Sequence, residues 1–187
     1  MEGTAHLVQP VSSRDHAQGL IDAPLTLVEY GDYQCPFCGA AYPVVKLLQE
    51  ALGRKLRFVF RNFPLTQLHP YALLAAEAAE AAALQGKFWE MHDQIYEQQE
   101  LLDPDLIPSW AEEIGLDLDK FGKEIEKGDV AARIKEDRRS GIRSGVNGTP
   151  TFYINGSRYD GPSDYESLVA ALQAELAERS VGAHRAR

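Results

Sequence analysis

The chain carries two cysteines among its 187 residues, Cys35 and Cys38, separated by two positions. A Cys-x-x-Cys pair can close a disulfide and exchange it with another thiol. The apolar run Leu25–Tyr30 before the pair predicts a buried strand, and Ala40–Leu52 after it predicts a helix. A thiolate near a helix N-terminus is stabilised by free backbone N–H groups. These residues therefore predict a dithiol/disulfide redox centre.

Two other roles for the cysteine pair are a structural disulfide and half of a zinc site. A structural zinc ion needs four ligands, usually cysteine or histidine. The chain offers no second cysteine pair. The sequence therefore favours redox chemistry and predicts that no metal or organic cofactor is required.

Charge and composition exclude several classes of protein. The net charge of −9 argues against a general nucleic-acid or membrane-surface binder. No segment approaches the ~20 apolar residues that a transmembrane helix needs. The first twenty residues contain Glu2, Arg14 and Asp15 but lack the apolar core of a secretory signal. We therefore expect a cytoplasmic protein, with a mature form that has lost a leader as the alternative.

The order of elements predicts one α/β domain with a helical insertion. A second strand over Lys55–Phe63 completes a strand–helix–strand unit, which implies parallel strands. Helical patterns follow, and Asn155-Gly156 then predicts a hairpin turn. A last helix over Asp164–Glu178 follows, with Ser163 as its expected N-cap. The predicted domain is formed by residues 15–64 and 145–180, the insertion by 65–144, and flexible termini by 1–14 and 181–187.

Several motifs resemble those of the DsbA-like disulfide oxidoreductases, and of a signal-less, often cytosolic branch of that family. They are the segments Leu27–Cys38, Asn62–Leu65, His69-Pro70, Gly86–Trp89 and Gly148–Phe152. The resemblance covers about Asp15 to Leu176, nearly the whole chain. It implies an α/β thioredoxin fold with an all-helical insertion, and exchange of thiols and disulfides with protein or peptide substrates.

The resemblance also implies roles for single residues. Cys35 matches the exposed nucleophile and Cys38 the buried resolving thiol. Glu29 matches a buried acid that helps to carry the proton of the buried thiol, and its position within an apolar strand agrees with burial. Thr149 and Pro150 match a loop in which a cis proline faces the cysteines. Substrate contacts are expected at four residues: Pro36, Phe37, Thr149 and Pro150.

Phe37 is a departure from the strongly oxidising members, which have histidine between the cysteines. Phenylalanine donates no hydrogen bond to a thiolate, so we expect a smaller decrease in the Cys35 pKa and a weaker oxidant. Thr149 resembles the residue of disulfide isomerases more than that of strict oxidases. The direction of electron flow therefore stays open at this point.

The expected reaction is attack of the Cys35 thiolate on a substrate disulfide, followed by attack of Cys38 on the mixed disulfide. The expected partners are protein or peptide thiols and disulfides, with glutathione or a thioredoxin-type protein as redox partner. Three alternatives stay open: a disulfide isomerase, a peptide-binding or chaperone-like module, and a glutathione-dependent transferase or isomerase of the kappa type. The kappa-type enzymes commonly have serine at the attacking position, which the cysteine pair disfavours.

The remaining residues of chemical interest have structural explanations. His92 shares an apolar helix face with Phe88 and Ile95, which predicts a core residue. His69 before Pro70 is predicted to be structural. A basic cluster stands out in this acidic chain, and we expect it to form a solvated helix face. Its members are Arg133, Lys135, Arg138, Arg139 and Arg143.

Overall fold

The computed structural model describes the backbone of residues 5–185 and the side chains of residues 5–179. The strands are β1 (His16–Gln18), β2 (Leu25–Gly31), β3 (Leu56–Asn62), β4 (Thr151–Ile154) and β5 (Ser157–Tyr159). The helices are α1 (Pro36–Leu52), α2 (Ala72–Ala83), α3 (Phe88–Glu97), α4 (Ile107–Glu113), α5 (Leu118–Lys127), α6 (Asp129–Ser144) and α7 (Tyr165–Arg185). The termini predicted to be flexible lie partly outside the described residues.

The strands form one mixed sheet in the order β1-β3-β2-β4-β5. Strand β2 is central, parallel to β3 and antiparallel to β4. The parallel β2–α1–β3 unit and the β4–β5 hairpin confirm two predictions from the sequence. Strand β1, which was not predicted, pairs antiparallel with β3 over three residues. The central position of β2 places its carboxyl end, and the cysteines that follow, in the middle of the molecule.

Helices α2 to α6 occupy the chain between β3 and β4. Helix α2 is rich in alanine, and most of its residues are buried. Alanine has the highest helix propensity, which explains why this segment is helical, and its small side chains let neighbouring helices and the sheet approach closely. The large core next to it contains Leu27, Leu48, Phe60, Met91 and Trp110. The insertion and the sheet thus share one core.

The chain before β1 packs against the sheet from residue 5 onward. Arg61 of β3 is 1% exposed, and its guanidinium donates to the Asp15 carboxylate at 2.8 Å. It also donates to the backbone oxygen of Gln9 at 3.0 Å and to the Tyr30 hydroxyl at 2.9 Å. A buried arginine needs such partners because an unpaired charge in the core is costly. The Arg61–Asp15 ion pair therefore fixes the N-terminal segment to β3.

The bounds of the first and last helices differ from the sequence predictions. Helix α1 begins at Pro36, so the helical run predicted over Ala40–Leu52 extends back to Cys35, which confirms the prediction of a cysteine at the helix start; proline is well tolerated in the first turn of a helix. Helix α7 begins at Tyr165, and the Asp164 carboxylate accepts a hydrogen bond from the Ser167 N–H at 2.9 Å. The N-cap is therefore Asp164, whereas the sequence predicts Ser163. Helix α7 also extends to Arg185, beyond the predicted end.

Candidate active site

The two cysteines lie where β2 passes into α1. Cys35 is the N-cap residue of α1, with φ −71° and ψ 121°, and Pro36 occupies the first helical position. Cys38 follows within the first turn, where it faces the core. Both thiols are free, with 3% of Cys35 and none of Cys38 exposed to solvent. Cys35 is therefore buried, and not exposed as the resemblance implied, because the loop with Thr149 lies against it. The local sequence thus places one thiol at the helix terminus and the other directly behind it.

The Cys35 thiol is strongly acidified by its surroundings. A hydrogen bond from the Cys38 thiol, helped by Thr149 and by the backbone N–H groups of Cys38 and Phe37, lowers the pKa of Cys35 to about 5. Burial acts against these donors but does not cancel them. Phe37, whose side chain is 72% exposed, therefore contributes through its backbone alone. Cys35 is mainly a thiolate at neutral pH.

Cys38 has the opposite electrostatic character. Burial, the hydrogen bond to Cys35 and the nearby Glu29 raise the pKa of Cys38 well above its ordinary value. The backbone N–H of Asp32 donates to Cys38 Sγ at 3.4 Å, which is the one contact that favours its thiolate. The two thiols therefore divide into an ionised, attacking group and a protonated, buried group.

Glu29 is buried beneath the cysteines on β2, with 3% of its surface exposed. Burial, reinforced by the negative charge of Cys35, raises the pKa of Glu29 to about 8. A cavity of about 10 Å³ lies beside it, with Lys46 and Tyr96 among its other lining residues. That volume is near the ~10–15 Å³ that one water molecule requires. Glu29 can therefore hold a proton near neutral pH.

The loop before β4 contacts Cys35. The Thr149–Pro150 peptide bond is cis, as the resemblance implies. The Cys35 thiol donates to the carbonyl oxygen of Thr149 at 3.3 Å. The Thr149 hydroxyl is buried and has no hydrogen-bond partner of ordinary geometry among the described residues. It is available to donate to Cys35 when that thiol ionises.

Two grooves are lined by residues next to the cysteines in the chain. One, of about 440 Å³, is mainly apolar and is lined by Phe37, Val44 and Pro150, with others. The second, of about 600 Å³, is lined by Pro36 and by residues of the insertion, including Glu97 and Leu101. Of the four residues predicted to contact substrate, Pro36, Phe37 and Pro150 line these grooves, and Thr149 contacts Cys35 directly.

Asp32 is a site residue that the sequence did not reveal. Its buried carboxylate accepts hydrogen bonds from the backbone N–H groups of Gln34 and Leu65, each at 2.8 Å, and from His69 Nδ1 at 2.8 Å. Asp32 thus ties the loop that carries Cys35 to the segment after β3. His69 has the structural role that was predicted for it, and its partner could not be read from local spacing.

The other predicted residues lie away from the cysteines or in the core. His92 is buried, and its Nδ1 lies 3.0 Å from the Tyr33 hydroxyl, which confirms the core prediction. In the basic cluster, Arg133 is bonded to Asp137 at 3.1 Å, and Arg138 lies over the Phe63 ring. Among the side chains of residues 5–179, no group of three or more acidic, histidine or cysteine residues could hold a metal ion.

Comparison with known sequences shows the family. The family profile described as Thioredoxin matches residues 12–174, most of the chain. The chain therefore belongs to the thioredoxin family.

Among the residues that the structure describes, no helix has the length and apolar character needed to cross a membrane.

Solved structures show the same fold. Oxidised BdbD from Bacillus subtilis is 25% identical, with 94% of this chain and 100% of BdbD covered at a TM-score of 0.81. A thioredoxin-like oxidoreductase from Silicibacter pomeroyi is 26% identical, with 90% and 94% covered at a TM-score of 0.75. These similarities confirm the DsbA-like thioredoxin fold and support thiol–disulfide oxidoreductase as the general class.

Relatives of higher identity have a different name. A Na(+)/H(+) antiporter NhaA 3 from Salinispora tropica is 47% identical over 94% of this chain but only 27% of its own length. A Na(+)/H(+) antiporter NhaA 1 from Mycobacterium sp. (strain KMS) is 43% identical over 90% of this chain and 28% of its own length. The chain thus spans about a quarter of the curated relatives it matches, and their names describe those longer proteins.

Proposed function

We propose that this protein exchanges its Cys35–Cys38 disulfide or dithiol with the thiols and disulfides of protein or peptide substrates. One observation carries the proposal: an acidified thiol at the start of α1 is backed by a buried, protonated thiol within the same helical turn. The first can attack at neutral pH, and the second is in place to release the product.

The reductive direction takes two exchange steps. The Cys35 thiolate attacks one sulfur of a substrate disulfide, so that one S–S bond breaks and a mixed disulfide forms. The departing substrate sulfur takes up a proton as its thiol. Cys38 then loses its proton and attacks Cys35 Sγ, which forms the Cys35–Cys38 disulfide and releases the second substrate thiol. Two electrons pass from the protein to the substrate.

Glu29 is suited to accept the Cys38 proton at the second step. The negative charge of Cys35 is one of the causes of the raised Glu29 pKa, and that charge disappears once Cys35 is in a mixed disulfide. Glu29 therefore releases its own proton more readily at this stage, and the carboxylate left behind can accept the proton of Cys38. After resolution, the proton can leave through the adjacent cavity, whose lining includes Lys46.

The same steps in reverse oxidise a substrate dithiol. The substrate thiolate then attacks Cys35 Sγ, Cys38 leaves as a thiolate, and Glu29 returns the proton to it. The Cys35 pKa of about 5 lies between the values of ~7 for thioredoxin and ~3.5 for DsbA. An intermediate stabilisation of the thiolate permits either direction, so the redox partner would decide which one dominates.

Insulin reduction and the oxidation of a dithiol peptide test the proposal. The wild-type protein should catalyse at least one of these reactions, and Cys35→Ser should abolish it. A peptide-binding module would instead suppress aggregation equally well in both proteins and show no exchange.

Calorimetric titration with glutathione distinguishes the kappa-type alternative, which requires stable binding of glutathione. A disulfide isomerase would be revealed by recovery of activity from scrambled ribonuclease.

A further inference from the structure

Gln99 connects the helical insertion to the backbone that carries Cys35. It begins a short 3₁₀ turn, Gln99–Leu101, just after α3. Its side-chain Nε2 donates to the carbonyl oxygen of Tyr33 at 2.8 Å and to that of Cys35 at 2.9 Å. Both N–H groups of one amide are therefore used by the loop that ends in the nucleophile.

Gly39 provides the space that this side chain occupies. A Cβ atom at Gly39 would lie 2.0 Å from Gln99 Oε1 and 2.8 Å from its Cδ. Gly39 is inside α1, where glycine costs about 1 kcal/mol of helix stability relative to alanine. The chain thus forgoes a better helix former at a position where a methyl group would displace the Gln99 amide.

We propose that Gln99 is a positioning residue through which the helical insertion holds the Cys35 turn and tunes the reactivity and oxidising power of the cysteine pair. The redox consequence rests on the function proposed above, whereas the effect on the Cys35 thiol does not.

The geometry gives the physical reason. The N–H groups of Phe37 and Cys38 stabilise the Cys35 thiolate only while the turn keeps them directed at Sγ. The Cys35 carbonyl already accepts the first helical bond of α1, from the Gly39 N–H at 3.1 Å. The Gln99 amide fixes that carbonyl from a second direction. The amide N–H also offsets the partial negative charge of the Cys35 carbonyl oxygen, which is close to the Cys35 thiolate.

The first test is Gln99→Met, which keeps the length of the side chain and removes both donors. We expect the Cys35 pKa, measured from thiolate absorbance and from alkylation rates, to rise by about 0.5–1 unit, the equivalent of one hydrogen bond. The equilibrium with glutathione should shift about 3- to 10-fold toward the disulfide, which corresponds to ~15–30 mV.

Gln94→Met is the matched control, because Gln94 lies on α3 and donates to Glu113 on the surface. It should change neither quantity. An unchanged pKa and potential in Gln99→Met, with or without a lower melting temperature, would overturn the proposal. If the wild-type protein shows no disulfide exchange at all, the proposed function fails, but the pKa comparison still decides the role of Gln99.

A second variant reaches the same amide from the opposite side. Gly39→Ala should displace Gln99 and raise the Cys35 pKa in the same direction, although alanine favours the helix. In a Gln99→Ala background, Gly39→Ala should cause no further rise, because the amide it displaces is gone. Equal, additive shifts in both backgrounds would contradict the proposal.

Discussion

Cys35 Sγ lies 3.3 Å from the carbonyl oxygen of Thr149, a residue 114 positions further along the chain. A carbonyl oxygen accepts a hydrogen bond from the thiol but cannot donate one to the thiolate. The buried Thr149 hydroxyl, which has no other partner of ordinary geometry in the described part of the chain, can donate instead. Thr149 thus offers Cys35 a different contact in each protonation state.

Thr149→Val should raise the Cys35 pKa, because the variant keeps the branched shape and loses the donor. We expect an increase of about 0.5–1 unit and a correspondingly weaker oxidant, since the thiolate of the reduced protein is less stabilised. Alkylation rates measured against pH give the pKa directly. A pKa equal to or below that of the wild-type protein would show that the hydroxyl does not contact the thiolate.

The two cysteines should have separable roles. Cys35→Ser should abolish reaction with a disulfide substrate. Cys38→Ser should instead accumulate a mixed disulfide with the substrate, because Cys35 still attacks and nothing resolves the adduct. Mass spectrometry after mixing with a peptide disulfide distinguishes the two outcomes. Adduct formation at Cys38 in the Cys35→Ser protein would reverse the assignment.

Glu29→Gln should stabilise the fold and slow resolution. A carboxyl whose pKa is raised from 4.5 to about 8 stabilises the native state fully below the lower value, and that stability is lost as pH rises through the higher one. Removing the ionisable group should therefore raise the free energy of unfolding by ~1–3 kcal/mol at pH 7. Attack by Cys38 should slow by at least about tenfold, because a proton acceptor is missing.

Denaturation of the disulfide form against pH isolates the part of this effect that burial causes, since neither cysteine titrates in that form and the Cys35 charge is absent. The wild-type protein should lose stability above about pH 4.5, and Glu29→Gln should follow a flatter curve. Parallel denaturation curves would mean that the pKa of Glu29 is not raised. An unchanged rate of attack by Cys38 in Glu29→Gln would show that Glu29 does not accept the Cys38 proton.

Arg61→Met should destabilise the protein without altering the cysteines. It leaves Asp15 as a buried charge whose pKa is no longer lowered by the arginine, at a cost of about 3–5 kcal/mol. Urea denaturation measures this loss, and adding Asp15→Asn should restore part of it. A shift in the Cys35 pKa comparable to that of Thr149→Val would contradict the expectation that this ion pair affects stability alone.

Local patterns in the sequence were sufficient for most of the fold. The strand–CxxC–helix order, the Asn155-Gly156 turn and the burial of Glu29 depend on neighbours within a few positions, so they could be predicted. Strand β1 has only three residues, too few for a hydrophobic period to show. Its existence depends on pairing with β3, far along the chain.

The contacts around the site could not be predicted in the same way. Gln99 is 64 positions from Cys35, and an amide in a polar turn has no local pattern that marks its partner. The hydrogen bond between Asp32 and His69 likewise forms only after the segment beyond β3 folds back. Roles for Thr149 and Pro150 were inferred from the resemblance, whereas the contact between Cys35 Sγ and the Thr149 carbonyl oxygen required the structure.

The reduction potential of the Cys35–Cys38 pair, measured in glutathione buffers, tests the central claim most directly. Because the Cys35 pKa lies between those of thioredoxin and DsbA, we predict one two-electron transition between about −270 and −120 mV. No measurable exchange with glutathione would contradict the assignment of this pair as a redox centre. A potential below that of thioredoxin would contradict the stabilised Cys35 thiolate on which the mechanism depends.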